Sequence, residues 1–164
     1  RMGIEARYLG HGEQVHDINY TLRHNGVKTQ CNINSNGVLA GKSKKTLRGT
    51  IDFVRGCKGA EGTEHETVLL VDDDVENKSV PVILCNEDDV AGNHGAAIGH
   101  VRPEQMFYLA SRGLSQEATE QMFVRAMLEQ AAIDAPDQAS REGVLRLATT
   151  LVDGFDADFL EEEA

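Results

Sequence analysis

Short apolar runs separated by Gly, Asn and Asp fill the first part of the chain. Each run has the length of a β-strand, and the residues between runs favour turns. Polar and apolar side chains alternate in several runs, so that Ile51 and Phe53 share one face of a strand, as do Val68 and Leu70. The pattern predicts strands that each bury one face, within residues 18–22, 30–33, 50–54, 67–71, 80–85 and 96–101.

Two architectures satisfy this alternation, a β-sandwich and a parallel β-helix, and periodicity alone does not separate them. Asn25-Gly26 and Asn36-Gly37 are typical of the tight turn of an antiparallel hairpin. The chain has 16 glycines, three prolines and no tryptophan in 164 residues, which favours a fold that turns often through short elements. The residues therefore predict a β-rich body of one type or the other.

Helical periodicity replaces the short β runs at Pro103. Proline suits the first turn of a helix, and Gly113 is a good stop. Ser115 is a suitable N-cap for a second helix, which Pro136 ends, and a third helix is expected over residues 137–152. The β-rich body is therefore followed by three helices.

The predicted helices have apolar stripes, which are expected to pack against another surface. In the second helix the stripe consists of Ala118, Met122, Phe123, Ala126 and Met127. In the third helix we expect four inward-facing residues: Val144, Leu147, Ala148 and Leu151. The expected organisation is thus a β-rich body over residues 1–101, a three-helix subdomain over 102–152 and an acidic tail over 153–164.

The charge balance limits the classes of partner. With 27 Asp and Glu against 16 Lys and Arg, the formal net charge is -11, which repels nucleic acid and anionic membranes. No apolar run has the 18 or so residues that a membrane span needs, and the amino terminus lacks a basic stretch followed by an apolar one. We therefore expect a cytoplasmic protein that binds neither nucleic acid nor membranes.

The three cysteines, Cys31, Cys57 and Cys85, are odd in number and form no Cys-x-x-Cys pair. This spacing disfavours a disulfide framework and indicates reduced thiols. Because a free cysteine usually behaves as a small hydrophobe, a core position is the first expectation for each of them.

Two linked sequence blocks carry a resemblance to a known family. The block EDDVAGNHGAAIG (residues 87–99) is followed closely by QMFYLASRGL (residues 105–114). Together they resemble the SufB/SufD family of iron-sulfur cluster assembly scaffold proteins. Weaker similarity lies upstream in GVL (37–39), GTI (49–51) and HET (65–67). The resemblance covers most of this chain but only the C-terminal part of a usual family member.

This resemblance implies a mainly β fold, a right-handed parallel β-helix over residues 1–101 followed by a small C-terminal helical subdomain. It also implies a scaffold and not an enzyme. In the family, the solenoid pairs with that of a SufB/SufD-type partner subunit, and the C-terminal helices bind SufC, an ATPase of the ABC type. We expect the isolated chain to form a homodimer through the solenoid, because the upstream coils of a usual family member are missing and a strand edge is therefore exposed.

His94 is the principal candidate site residue, because it matches the family's histidine in the His-Gly-Ala block, which is implicated in iron acquisition or cluster formation. Gly92 stands where many members have a cysteine, and Glu66 and Gly95 stand where SufB-type members have a cysteine and a glutamate, so the chain is SufD-like. Cys85 lies nine residues before His94, a spacing that suits neighbouring strands, and thiolate and imidazole are both iron ligands. Iron or a transient iron-sulfur cluster is therefore expected only in an assembled complex.

For the helical part, the resemblance favours partner binding over a purely intramolecular core role for four residues: Phe107, Met122, Phe123 and Met127. Two other functions stay open, a β-helix enzyme that acts on a polymer and a standalone metal-binding protein. The many acidic residues show no distinctive pairing of the kind that glycoside hydrolases use. Gly-x-Ser-x-Gly, Walker A and Gly-x-Gly-x-x-Gly motifs are absent from the sequence.

Overall fold

A computed structural model describes residues 1–151 and Phe155. Within this part the chain forms seven strands and three helices: β1 (Met2–Gly10), β2 (Val15–His24), β3 (Gln30–Leu39), β4 (Lys44–Phe53), β5 (Ala60–Leu70), β6 (Glu76–Cys85), β7 (Val90–His100), α1 (Pro103–Ser111), α2 (Gln116–Ile133) and α3 (Gln138–Leu151). The unit Arg1–His100 holds the strands, and the unit that begins at Val101 holds the helices. Apart from Phe155, the predicted acidic tail lies outside the described residues.

The strands form a β-solenoid with two parallel sheets. One sheet has the order β1-β3-β5-β7 and the other has the order β2-β4-β6. Within each sheet, a strand pairs with the strand two places further along the chain. One coil therefore consists of one strand from each sheet: β1 and β2 form the first coil, β3 and β4 the second, and β5 and β6 the third, and β7 follows. The expected parallel β-helix is confirmed.

The hairpin alternative is wrong at both positions. Asn25-Gly26 lies in the corner between β2 and β3, which belong to different sheets. Asn36-Gly37 lies inside β3, whose residues pair in parallel with β1 on one side and with β5 on the other. Corners of a solenoid need the same tight backbone turns as hairpins, so turn residues do not distinguish the two.

Side-chain alternation and parallel register together build the core. Leu22, Ile51 and Ile83 occupy one interior level of the even-numbered sheet. Cys31 and Ile33 of β3 are buried across from them, in a cluster that also holds Phe53. Two interior glycines leave space for a large side chain from another strand. A Cβ at Gly37 would overlap the ring of Tyr8, and one at Gly49 would overlap the carboxylate of Glu64.

The predicted strands were correct in position but too short, and β1 was missed. The observed strands have nine to eleven residues. β1 reads MGIEARYLG, and polar and apolar side chains hardly alternate in its first residues. Its pairing in register with β3 makes it a strand. In β3, Asn32 and Asn34 face outward and interrupt the apolar pattern, yet pairing on both sides keeps the strand regular.

The three predicted helices are present close to their expected bounds, but they bury different faces. α1 begins at Pro103, and the Ser115 side chain caps α2 by accepting a hydrogen bond from the Ala118 backbone N–H at 3.1 Å. The buried residues of α2 are Thr119, Val124, Leu128, Ala131 and Ala132. In α3, Ala148 is buried as expected, whereas Leu147 is 52% exposed, so its inward placement was wrong.

Packing between α2 and α3 explains this difference, because their contact selects which face of each helix is covered. Of the predicted α2 stripe, Ala118, Met122 and Ala126 are exposed, and Phe123 and Met127 are half-buried.

In the described residues, none of the three helices combines the length and the apolar character that crossing a bilayer requires.

Candidate functional site

His94 lies in the middle of β7, the last strand of the odd-numbered sheet. Its Cα is in register with that of Glu64 in β5, so the two side chains belong to the interior face of the solenoid. Glu64 is buried, whereas His94 is exposed because β7 is the edge strand. This places an imidazole at the end of the interior, next to a buried carboxylate.

The electrostatic setting of Glu64 is mixed. Burial raises the pKa of its carboxyl group, and the negative charge of Glu66 raises it further. Positive charge on His94 and Lys45 acts in the opposite direction. Glu64 is therefore a carboxylate that burial disfavours and that a nearby cation stabilises.

Cys85 lies on the other sheet. It is the last residue of β6, in register with Phe53, and its thiol donates a hydrogen bond to the carbonyl oxygen of Glu87 at 3.2 Å. The thiol is exposed, which differs from the buried position expected of a small hydrophobe, while Cys31 and Cys57 are buried as expected. Among the described residues, no group of three or more His, Cys, Asp and Glu side chains is placed to hold a metal.

A buried polar group inside the solenoid was missed by the sequence interpretation. Lys45 of β4 is fully buried and forms an ion pair with Glu66 of β5. The Tyr8 hydroxyl donates a hydrogen bond to Glu66 Oε1 at 3.1 Å. Lys45 Nζ also donates to Ser79 Oγ at 3.4 Å, on the other side of the lysine. Burial lowers the pKa of Lys45, although the contact with Glu66 opposes that change.

The alternation did contain a signal for this group. Lys45 has the same parity along β4 as the buried Leu47 and Ile51. Glu64 and Glu66 have the same parity along β5 as the buried Val68. Their positions therefore indicated burial. Charged residues are nearly always exposed unless they are paired, so their residue types suggested exposure instead.

The last coil of the solenoid presents an open strand edge and apolar side chains. β6 and β7 are the edge strands of their sheets at this end. Val80 and Leu84 of β6 and Ile98 of β7 are all exposed. Unpaired strand edges and clustered apolar side chains are both features of surfaces that bind another chain.

In the helical unit, α1 and α2 border an open cavity of about 510 Å³. Its lining consists of Arg102, Glu104, Gln105, Tyr108, Leu109, Met122 and Phe123. Of the four predicted partner-binding residues, Met122 and Phe123 line this cavity. Phe107 lies on α1 outside the lining and is 77% exposed, and Met127 is half-buried further along α2.

Comparison with known proteins places the solenoid and the first helices in one family. A family model described as "SUF system FeS cluster assembly, SufBD core domain" matches residues 1–127. This chain belongs to the SufBD family. The matched part contains all seven strands, α1 and most of α2. SufBD proteins are iron-sulfur cluster assembly proteins, so the predicted resemblance is confirmed.

Individual SufBD relatives are similar at modest identity. The iron-sulfur cluster assembly protein SufD of Bacillus subtilis (strain 168) is 27% identical over 128 residues, which are 78% of this chain and 29% of that protein. A SufBD family protein of Mycobacterium leprae (strain TN) is 30% identical over 139 residues, 85% of this chain and 16% of the relative. One of Mycobacterium tuberculosis (strain ATCC 25618 / H37Rv) is 32% identical over 132 residues, 80% of this chain and 16% of the relative. This chain spans less than a third of the length of these relatives.

Proposed function

We propose that this SufBD chain is a non-enzymatic scaffold segment of a cytoplasmic Suf-type system for iron-sulfur cluster assembly. It pairs with a SufB/SufD-type subunit through the last coil of its solenoid, and it docks a SufC-type ABC ATPase through its helices. The observation that carries the proposal is the composition of the last coil of the solenoid, formed by β6 and β7. There, two edge strands, exposed apolar side chains and His94 coincide.

The chemistry of that end suits a second solenoid. The backbone groups of an edge strand are satisfied when another strand adds to it, and an exposed Ile98 or Leu84 gains most when another apolar surface covers it. A partner solenoid supplies both. In the absence of that partner, a second copy of this chain offers the same edges, so the isolated chain forms a homodimer.

The helical cavity suits a protein partner in a different way. Leu109, Met122 and Phe123 supply an apolar centre, and Arg102 and Glu104 supply a charged rim. An apolar centre with a polar rim is the usual composition of a specific interface. Phe107, which is exposed beside it on α1, adds an aromatic anchor of the type that dominates binding energy.

His94 contributes to iron or cluster binding only within the assembled complex. Its imidazole and the carboxylate of Glu64 are two donors, and two donors do not complete a tetrahedral site. Cys85 is on the opposite sheet and is a second-choice ligand from this chain. The remaining donors come from the partner subunit, so the isolated chain does not retain iron.

Strand-edge pairing is tested by placing a charge on the open edge. Ile98→Lys is expected to abolish both homodimerisation, measured by sedimentation, and co-purification with a SufB/SufD-type subunit. Val27→Lys is the matched control, because Val27 is a β-branched residue with 65% exposure in the corner between β2 and β3, at the opposite end of the sheets from β6 and β7. Unchanged association of the Ile98→Lys variant contradicts the proposed docking surface.

A further inference from the structure

Met122 presents a thioether to the helical cavity, which is the surface that we assign to the ATPase. Met122 is 39% exposed, although methionine is among the residues most often buried. Leu109 and Phe123 line the cavity with it. The cavity of about 510 Å³ is far larger than one water molecule, which takes up about 30 Å³ of the liquid. A small oxidant therefore reaches this side chain from solvent.

The other methionines lack this combination of exposure and position. Met127 of α2 and Met106 of α1 are both half-buried. Neither of them lines the helical cavity. Met2 is 57% exposed but belongs to β1, in the unit that holds the strands. Among the methionines of the helical unit, Met122 is thus the one most open to an oxidant in solution.

The three cysteines are the other oxidisable sulfur atoms of the chain. Cys31 and Cys57 are buried, whereas Cys85 is exposed. Cys85 is the last residue of β6, so it belongs to the strand unit and does not line the helical cavity. Oxidation of the exposed thiol and oxidation of Met122 therefore occur on different units, and a substitution at Cys85 separates them.

Oxidation changes the polarity at the centre of the cavity. Methionine sulfoxide carries a polar oxygen in place of an apolar thioether. Leu109 and Phe123 form the apolar centre with Met122, and neither has a side-chain donor for that oxygen. Water satisfies the oxygen while the cavity is open, but a partner that covers the centre removes that water. Burial of a polar group without a hydrogen bond is unfavourable, so oxidation opposes docking.

We propose that Met122 is an oxidation site for hydrogen peroxide and that its sulfoxide prevents the SufC-type ATPase from docking. This inference rests on the proposed docking at the helical cavity. The Met122 sulfur attacks one oxygen of the peroxide, so that an S–O bond forms as the O–O bond breaks. The proton on the transferred oxygen moves to the departing hydroxide, which leaves as water. Sulfur loses two electrons and the peroxide gains two, so no other reactant is needed.

The modification is reversible, because methionine sulfoxide reductases return the sulfoxide to the thioether. A leucine at position 122 would fill a similar volume without this reactivity. The sulfur atom of Met122 is therefore what makes the docking surface responsive to an oxidant.

Peptide mass mapping after treatment with hydrogen peroxide identifies the oxidised residues. The Cys85→Ser variant is used throughout, so that the exposed thiol does not react. Met122 is expected to be oxidised severalfold faster than Met127, the half-buried methionine of the same helix, and faster than Met106. Oxidation of Met127 at least as fast as that of Met122 overturns the assignment.

Titration calorimetry measures the effect of oxidation on docking. Catalase removes the peroxide before the ATPase is added, so that only this chain is oxidised. The Kd is expected to rise roughly 10- to 100-fold, which corresponds to burial of one unpaired polar group. Treatment with a methionine sulfoxide reductase is expected to restore it. Met122→Leu is the control, because its Kd, compared with that of its own untreated sample, is expected not to respond to peroxide.

Two results overturn the switch and leave the docking proposal intact. One is unchanged docking of a chain whose Met122 is fully oxidised, and the other is a peroxide response of equal size in Met122→Leu. A chain that fails to bind the ATPase even before treatment overturns both proposals. The mass map requires no ATPase, so it decides in every sample whether Met122 is the residue that reacts first.

Discussion

His94 and Glu64 occupy equivalent positions on adjacent coils, one exposed on the last strand and the other buried on the strand before it. Thirty residues separate them in the sequence, and parallel pairing of β5 with β7 brings their Cα atoms into register. The imidazole therefore lies at the point where the interior of the solenoid meets the surface that we assign to a partner subunit. In the proposed complex, a side chain at this position is open to groups from both chains.

Removal of the His94 imidazole is expected to affect metal content and not assembly. In the complex with a SufB/SufD-type subunit and the ATPase, His94→Ala is expected to lower iron and sulfide content severalfold when both complexes are purified without oxygen. His65→Ala is the matched control, because His65 is exposed on the opposite face of the adjacent strand. Equal iron in the His94→Ala and wild-type complexes assigns His94 to packing instead.

Glu64→Gln is expected to stabilise the protein at neutral pH and to have little effect in acid. The folded-state pKa of Glu64 is raised, so the folded protein favours the protonated carboxyl group. Its stabilising contribution is present below the pKa of the unfolded chain and is lost as the pH rises through the folded-state pKa. A neutral amide avoids this loss, so the variant is expected to unfold at a higher urea concentration than the wild type at neutral pH.

Urea denaturation at pH 7 and at pH 4 measures this difference. Glu61→Gln is the control, since Glu61 is an exposed glutamate of the same strand. A Glu64→Gln variant that is less stable than the wild type at pH 7 indicates that the ionised form is the one stabilised, in conflict with the raised pKa.

Lys45→Met is expected to destabilise the solenoid strongly, because it leaves Glu66 buried without its cation. Loss of one partner from a buried ion pair costs roughly 3–5 kcal/mol. The double variant Lys45→Met with Glu66→Gln is expected to recover much of that loss. Lys44→Met is the control, because Lys44 forms an exposed ion pair with Glu76. Similar midpoints of urea denaturation for Lys45→Met and Lys44→Met refute a structural role for the buried pair.

Phe107→Gln and Met122→Gln are each expected to weaken binding of the SufC-type ATPase. Loss of an apolar interface anchor costs about 2 kcal/mol, or roughly 30-fold in Kd. Met122 lines the cavity, and Phe107 is next in sequence to the lining residue Tyr108. Ile133→Gln is the control, because Ile133 is 53% exposed but is the last residue of α2, eleven residues beyond Met122. Titration calorimetry supplies the Kd values, and unchanged melting temperatures show that the folds are intact. If Ile133→Gln weakens binding as much as Phe107→Gln, the ATPase binds elsewhere.

The amino-acid sequence determined where the strands β2 to β7 and the three helices lie, because these depend on local alternation and on residues such as Pro103 and Ser115 that start a helix. Its two linked motifs also indicated the family and His94. These features are contained within short stretches of chain, so no knowledge of distant contacts is needed to recognise them.

Only the tertiary structure decided the rest. The strand β1 and the ion pair of Lys45 with Glu66 depend on register, winding and the position of the corners. The exposure of Leu147 depends on how α3 packs against α2. The physical reason is the same in each case: alternation assigns a residue to one face of its own element, whereas contacts with other elements determine what covers that face.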